Sequence, residues 1–238
     1  MKQSCLLVAA LAALAIALAP SARADTGISG LSGHWNTPSA EVLRDGEAEI
    51  GYTIIPKAWA WDNRGRYRND VYFATLGFLP RVEVSARVTS IPGFIGFRPI
   101  DSLTTLEDAD RMLSAKVQLV RGGRFPEVSV GLEDFFGTRR FHTGYVVMGR
   151  SFSMRSTTIR LDVGYAGRVI RKSTRVTLDG AFVGMDIRPS TWLAFTGEYD
   201  TEKWNLGLKL RGPLGLSGRV AWLDAHQLSV GAGLGFQL

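Results

Sequence analysis

The chain has 238 residues, a formal net charge of +6, 45% hydrophobic and 21% charged residues, and 27 glycines. These values exclude a disordered chain and fit one folded domain. The basic residues lie among acids along the whole length, which excludes the clustered basic stripe of a nucleic-acid groove, so no nucleic-acid partner is expected.

At the N-terminus, Lys2 precedes an apolar run from Leu6 to Ala19, and Ala22-Arg23-Ala24 forms an A-x-A site before Asp25. The run is too short to span a bilayer with confidence and exits through small residues, so residues 1–24 read as a cleaved signal peptide. The single Cys, Cys5, precedes the apolar run, whereas a lipid-bearing Cys would follow it. An exported chain with neither acylation nor a disulfide is therefore expected, stabilised by other means. Loss of Lys2 and Arg23 lowers the net charge from +6 to +4. Residues 25–46 are expected to form a short segment that plugs a lumen or lies in the periplasm.

From residue 47 onward, short segments of period two replace any helical stripe. "EAEIGYTI" (47–54) sets Ala48, Ile50, Tyr52 and Ile54 on one face. "RVEVSARVT" (81–89) opposes Val82, Val84, Ala86 and Val88 to Arg81, Glu83, Ser85 and Arg87. "RMLSAKVQLV" (111–120), "EVSVGLE" (127–133), "TIRLDVGY" (158–165) and "KWNLGLKLR" (203–211) repeat the pattern. Less regular segments fall at 71–79, 141–150, 175–185, 191–199 and 217–224, and the last, 228–238, contains "GAGLGFQL". Twelve strands of membrane-crossing length are predicted.

The connections also have a pattern. Those at 55–70, 90–110 and 166–174 are long, "DFFGTRR" is intermediate, and the turns at Leu79-Pro80, "RGGRF", 151–156 and "RPS" are short. The longest fall at odd positions in the series, so an up-and-down barrel would carry them all on one rim, as outer-membrane barrels do. A soluble β-sandwich gives the same alternation. The aromatics near strand ends (Tyr52, Phe141, Tyr165, Trp192, Tyr199, Trp204, Trp222) favour interfacial girdles. The apolar final strand favours closure against the first strand with lipid outside, since such an edge aggregates in water. The ending also resembles the signal read by the barrel-assembly machinery, with Gly233, Phe236 and Leu238 in the matching positions. The fold class is thus an all-β, antiparallel up-and-down transmembrane barrel over 47–238, in the cell outer membrane, with outer-membrane lipid and the assembly machinery as partners.

On the polar strand faces stand Glu47, Glu49, Glu83, Glu127, Glu133, Asp162 and Glu198, with Arg81, Arg87, Lys116, Arg160, Lys203, Lys209, Arg211 and Arg219. Facing lipid they would be costly, so they are expected to line the lumen. Near-balanced charge favours ion-paired bracing of the wall over an ion-selective conduit. His34, His142 and His226 are far apart in sequence and lack a second His or Cys at ligand spacing, so no metal is expected, and no cofactor. His142 beside Thr143, and His226 three residues before Ser229, make no recognisable nucleophile motif, and a lumen or loop His bound to water is the simpler reading. "HWNTPSA" (34–40) and "GTRRF" (137–141) read as turns. In the second, Arg139 and Arg140 are candidate contacts for an acidic glycan, because guanidinium groups bind carboxylates bidentately.

"NTPSAEVLRDGEAEIGY", "LPRVEVSARVT", "PEVSVGLEDFFGTRRFHTGYVVMGRSF" and "IRPSTWLAFTGEYD" follow one another in this order. Together, from about Asn36 to Asp200, they resemble the YjbH-type outer-membrane barrel family. The resemblance implies a non-enzymatic part in exopolysaccharide production or export, with surface polysaccharide and its export proteins as partners, and it brings no catalytic residues. The alternatives are a small passive porin and, from another class, a lipid-modifying barrel enzyme.

Overall fold

The computed structural model describes residues 25–59, 68–90, 109–137, 141–169 and 178–238. The signal peptide expected at 1–24 lies outside the described residues, as do Arg139 and Arg140. Twelve strands follow in order: β1 (Glu47–Ile55), β2 (Asn69–Leu79), β3 (Val82–Ser90), β4 (Ala109–Val120), β5 (Glu127–Gly137), β6 (Thr143–Met154), β7 (Thr157–Gly167), β8 (Gly180–Ser190), β9 (Leu193–Tyr199), β10 (Trp204–Arg211), β11 (Leu216–Leu223) and β12 (Gln227–Gln237). Each pairs antiparallel with its neighbours, and β1 closes on β12 in a register from Glu47↔Gln237 to Ile54↔Val230. The fold is a closed, antiparallel barrel, as the alternation predicts.

Burial along the strands is inverted relative to a water-soluble protein. In β3, Glu83, Ser85 and Arg87 are buried while Ala86 and Val88 are exposed. In β7, Arg160 and Asp162 are fully buried while Leu161 and Val163 are exposed. The exposed apolar residues form a band around the barrel, including Ile50, Tyr72, Val117, Leu132, Val146, Leu206 and Leu228. In water such a band would be a large sticky patch; against hydrocarbon it is the stable arrangement. Exposed aromatics mark its edges. Tyr52 stacks near Tyr72 (5.1 Å) and Tyr199 near Trp204 (5.3 Å) at the rim with the long connections, while Trp192 lies at the other rim. Phe141, expected in this girdle, is instead buried in the long-loop mouth.

Three connections differ from expectation. "RPS" was expected as a turn, but Arg188, Pro189 and Ser190 extend β8, and the turn is Thr191-Trp192. Pro189 cannot donate to the ladder, and it is accommodated where the β8–β9 register shifts between Ile187 and Ser190. Strands β6 and β7 run on until only Arg155-Ser156 separates them, in place of a loop over 151–156. Strand β5 continues through part of "DFFGTRR", with Asp134 in the left-handed region (φ 50°) where the β4–β5 register slips. That bulge turns two consecutive acids, Glu133 and Asp134, into the interior.

Candidate functional site: the charged lumen and its plug

Residues 25–46 enter the lumen and return. The segment starts at the short-turn rim, where Asp25 pairs with Arg188 (3.2 Å) and Arg211 (2.6 Å). It climbs toward the long-loop rim, turns at Trp35–Thr37, and descends to Gly46, whose N–H donates to the Gly77 carbonyl (2.9 Å) before β1 begins. Two isolated bridges, Thr26↔Ser32 and Gly33↔Pro38, are its only β pairings among the described residues. Its backbone is therefore irregular at membrane depth, and its N–H and C=O groups need partners from the wall.

The wall carboxylates supply the acceptors. Glu198 receives the backbone N–H groups of Trp35 (3.0 Å), Asn36 (2.9 Å) and Thr37 (2.9 Å), the Thr37 hydroxyl (2.9 Å) and the Asn205 amide (2.9 Å). Three successive N–H groups converging on one carboxylate form an anion nest. Glu83 receives the Ser32 N–H (2.5 Å), the Ser32 hydroxyl and the Leu43 N–H (2.7 Å). Asp162 receives the Ala40 N–H (2.8 Å).

The wall cations and amides supply the donors. Lys116 Nζ donates to the Ser32 carbonyl (2.6 Å), Lys209 Nζ to Gly33 (2.9 Å), Arg219 to Thr26 (2.6 Å), and Gln118 Nε2 to Ala40 (3.0 Å). The same groups pair with one another. Arg160 meets Glu41 (2.9 Å), Glu127 (2.7 Å) and Asp162 (2.8 Å), Arg219 meets Glu49 (2.8 Å), and Lys116 lies 3.8 Å from Glu83. Glu83, Lys116, Arg160, Asp162 and Glu198 are each 0% exposed.

His34 sits at the centre. Its Nδ1 lies 3.0 Å from Asp186 and its Nε2 3.1 Å from Asp162, with Lys209, Arg188 and Arg160 flanking the two acids. Burial alone would lower its pKa. The charges and hydrogen bonds of Asp186 and Asp162 outweigh that and push it up to about 9, so the ring is an imidazolium at neutral pH. Gly184 makes room for it: a Cβ there would lie 2.0 Å from the ring. Asp25 is half-buried, and desolvation would raise its pKa, but Arg211, Lys209 and Arg188 hold its carboxyl below the usual range. For Glu41 burial prevails over Arg160 and Arg188, and its carboxyl is raised.

Of the residues expected in the lumen, two lie elsewhere. Arg81 has φ 77° and forms the two-residue turn with Pro80, so it falls off the β3 pleat and is exposed at the short-turn rim. Lys203 precedes β10 at the long-loop rim, where its ammonium pairs with Asp224 (3.3 Å) and lies over the Trp59 ring (5.1 Å). Glu47, Glu49, Arg87, Lys116, Glu133, Lys209 and Arg219 are buried inside, and Glu127 and Arg211 line the short-turn end half-buried. Gly233 lies on the lumen side, where a Cβ would come within 2.5 Å of the Glu49 carboxylate, and Phe236 and Leu238 are exposed on the outer face.

His34 binds carboxylates rather than water. Ser229 donates to the Ile54 carbonyl, while His226 contacts the Asp224 carbonyl, so those two do not pair with each other. The alternation marks a segment ending at residue 185 and a connection over 90–110, so the sequence alone reveals neither Asp186 in β8 nor Asp110 in β4. The register of β8 is the signal that would have found Asp186, since it alternates with Gly184 and Phe182 on the inner face.

The architecture is shared with known barrels. The solved structure of the KdgM porin in complex with disordered oligogalacturonate superposes with a TM-score of 0.50 at 10% identity, over 80% of this chain and 99% of that one. The outer-membrane protein Omp33 of Acinetobacter baumannii aligns over 82% of this chain and 99% of that one, at 12% identity and a TM-score of 0.38. A search of curated protein sequences gives no match. The family described as YjbH, exopolysaccharide biosynthesis protein YbjH, matches residues 27–232, which takes in both the plug and nearly the whole wall. The chain belongs to the YjbH exopolysaccharide biosynthesis family.

Proposed function

We propose that this outer-membrane barrel is a closed, non-enzymatic component of exopolysaccharide production or export. The observation that carries the reading is the lumen itself: it is filled by residues 25–46, and its charges are spent on that segment's backbone rather than left facing a channel. Family membership supplies the polysaccharide context. With the long connections outward and the short turns in the periplasm, as is usual for bacterial barrels, Asp25 lies at the periplasmic end and Lys203 at the cell surface. Outer-membrane lipid, the barrel-assembly machinery, surface polysaccharide and its export proteins are the partners this role implies. The test compares surface polysaccharide in wild-type, deletion and complemented cells. The reading expects a loss on deletion that complementation restores, and unchanged polysaccharide would remove it.

A second reading is a small porin. It is favoured by the fold likeness to KdgM, a porin whose structure was determined with oligogalacturonate. In that reading the plug would have to leave the lumen, and purified protein would conduct ions.

A further inference from the structure

Strands β6 and β7 outrun their neighbour β5 at the short-turn rim. The last partner of β6 on β5 is Gly149, opposite Glu127, whereas β6 stays paired with β7 as far as Met154↔Thr157. Residues 150–154 therefore keep one edge without a ladder partner among the described residues, and the β6–β7 hairpin stands proud of the β4–β5 turn at 121–126. Between the two lies a notch of about 500 Å³, within the ~300–1,000 Å³ range of small-ligand sites. Arg121, Gly122, Gly123 and Phe125 line it from the turn, and Arg150 and Ser151 line it from the hairpin. All six are exposed.

Charge selects an anion. "RGGRFP" (121–126) and "RSFSMRS" (150–156) contain four arginines and no acid. Arg121, Arg124, Arg150 and Arg155 are all exposed, and none pairs with a carboxylate among the described residues. Glu127 also lines the notch, and its Oε2 accepts from Arg160 inside the wall (2.7 Å). Even with Glu127 counted in full, four cations face one acid. Position decides which anion. Met148, Arg150, Phe152 and Met154 alternate on the outer face of β6, and the three apolar residues are exposed there. Arg150 thus leaves the wall on the lipid side rather than toward the lumen, with its guanidinium 5.7 Å from the Phe152 ring. A cation in that row is tolerated where the headgroup layer begins. Phe125, 67% exposed, adds an apolar side to the same notch. Guanidinium groups beside exposed apolar side chains match an amphiphile with a phosphate, which arginine binds bidentately. A soluble anion would use the arginines alone.

We propose that this notch binds an anionic glycerophospholipid. Arg121 and Arg150 hold its phosphodiester, Arg124 and Arg155 add charge from the flanks, and an acyl chain lies along Met148 and Val146 on the outer face of β6. With the short turns in the periplasm, the lipid belongs to the periplasmic leaflet. The site goes beyond the export reading and does not depend on it. Native mass spectrometry of the detergent-solubilised full chain tests it, by titration with phosphatidylglycerol and with zwitterionic phosphatidylethanolamine of the same acyl chains. Phosphatidylglycerol is expected to bind at least about fivefold more tightly. Arg121→Gln and Arg150→Gln are each expected to weaken its binding by about fivefold, and the double variant by about thirtyfold, the effect of one and two charges near a membrane surface. Arg168→Gln removes an exposed cation at the opposite rim and is expected to bind as the wild type does. Excess inorganic phosphate is expected to leave the lipid bound. Heat-modifiable gel mobility confirms that each variant is folded, and the lipid preference of the unaltered protein is a test that needs no variant. Equal affinity for the two lipids, unaltered binding by the folded double variant, or a loss in Arg168→Gln as large as in the double variant overturns the proposal. Displacement of the lipid by inorganic phosphate would make the notch a free-anion site and overturns it as well.

Discussion

Glu198 is the residue on which the plug depends most. Replacing it with Ala strips the acceptor from three backbone N–H groups and a hydroxyl in a buried site. Breaking one side of such a buried charged network costs about 3–5 kcal/mol. Urea titration followed by gel mobility should show that loss for Glu198→Ala and a smaller one for Glu198→Gln, which retains one acceptor oxygen. His34 gives a pH dependence of definite sign. Its folded pKa, about 9, lies above the ordinary value of 6.5. Its contribution is complete below pH 6.5, declines as the pH rises, and is gone above about pH 9. Protease cleavage within residues 25–46 should therefore increase from pH 6.5 to pH 9 in the wild type, and this rise should be absent in His34→Gln. The sequence marks Glu198 as an inward acid by alternation, but nothing in it says that Glu198 receives three successive N–H groups of "HWNTPSA". That stretch is irregular backbone, and its path is set by the wall charges around it. Periodicity carries no information about such contacts.

Strands are the scale at which the sequence is most readable, because a period of two is a local property of the chain. All twelve are legible, and three of the errors fall where the pleat is interrupted: the bulge at Asp134, Pro189 at the β8–β9 shift, and the turn residue Arg81. A one-residue departure from the pleat moves a side chain to the other face, which is how Arg81 was misplaced. The inverted burial yields a depth-dependent prediction. Val163 lies mid-strand in β7 on the outer face, next to Met148 and Val183. Leu206 lies on the same face of β10 beside Trp222, close to the aromatic edge. A charge at the bilayer midplane costs about 2–4 kcal/mol and near the interface about 0–1. Folding into lipid vesicles should consequently be impaired much more by Val163→Arg than by Leu206→Arg. Equal effects would mean that the exposed band is not a membrane belt. Arg150 shows how a cation is tolerated on the outer face toward the short-turn end: it is exposed and lies 5.7 Å from the Phe152 ring.

For the whole molecule, the wall and the segment inside it form one electrostatic unit. The wall needs countercharges and polar partners for its inward acids and bases, and the segment needs partners for its irregular backbone. Many of these needs are met between the two, through the contacts of Glu83, Asp162, Glu198, Lys116, Lys209 and Arg219 with residues 26–43. The same arrangement explains how a chain with no Cys beyond residue 5 holds an irregular segment in place. A lumen closed in this way should not conduct. Single-channel recording in planar bilayers puts the question directly. Wild-type protein is expected to show no steady open level, and the triple variant Glu83→Ala, Asp162→Ala, Glu198→Ala, which releases the three carboxylate grips on residues 32–43, is expected to show frequent openings. A steady conductance from the wild type, equal to that of the variant, would contradict the account.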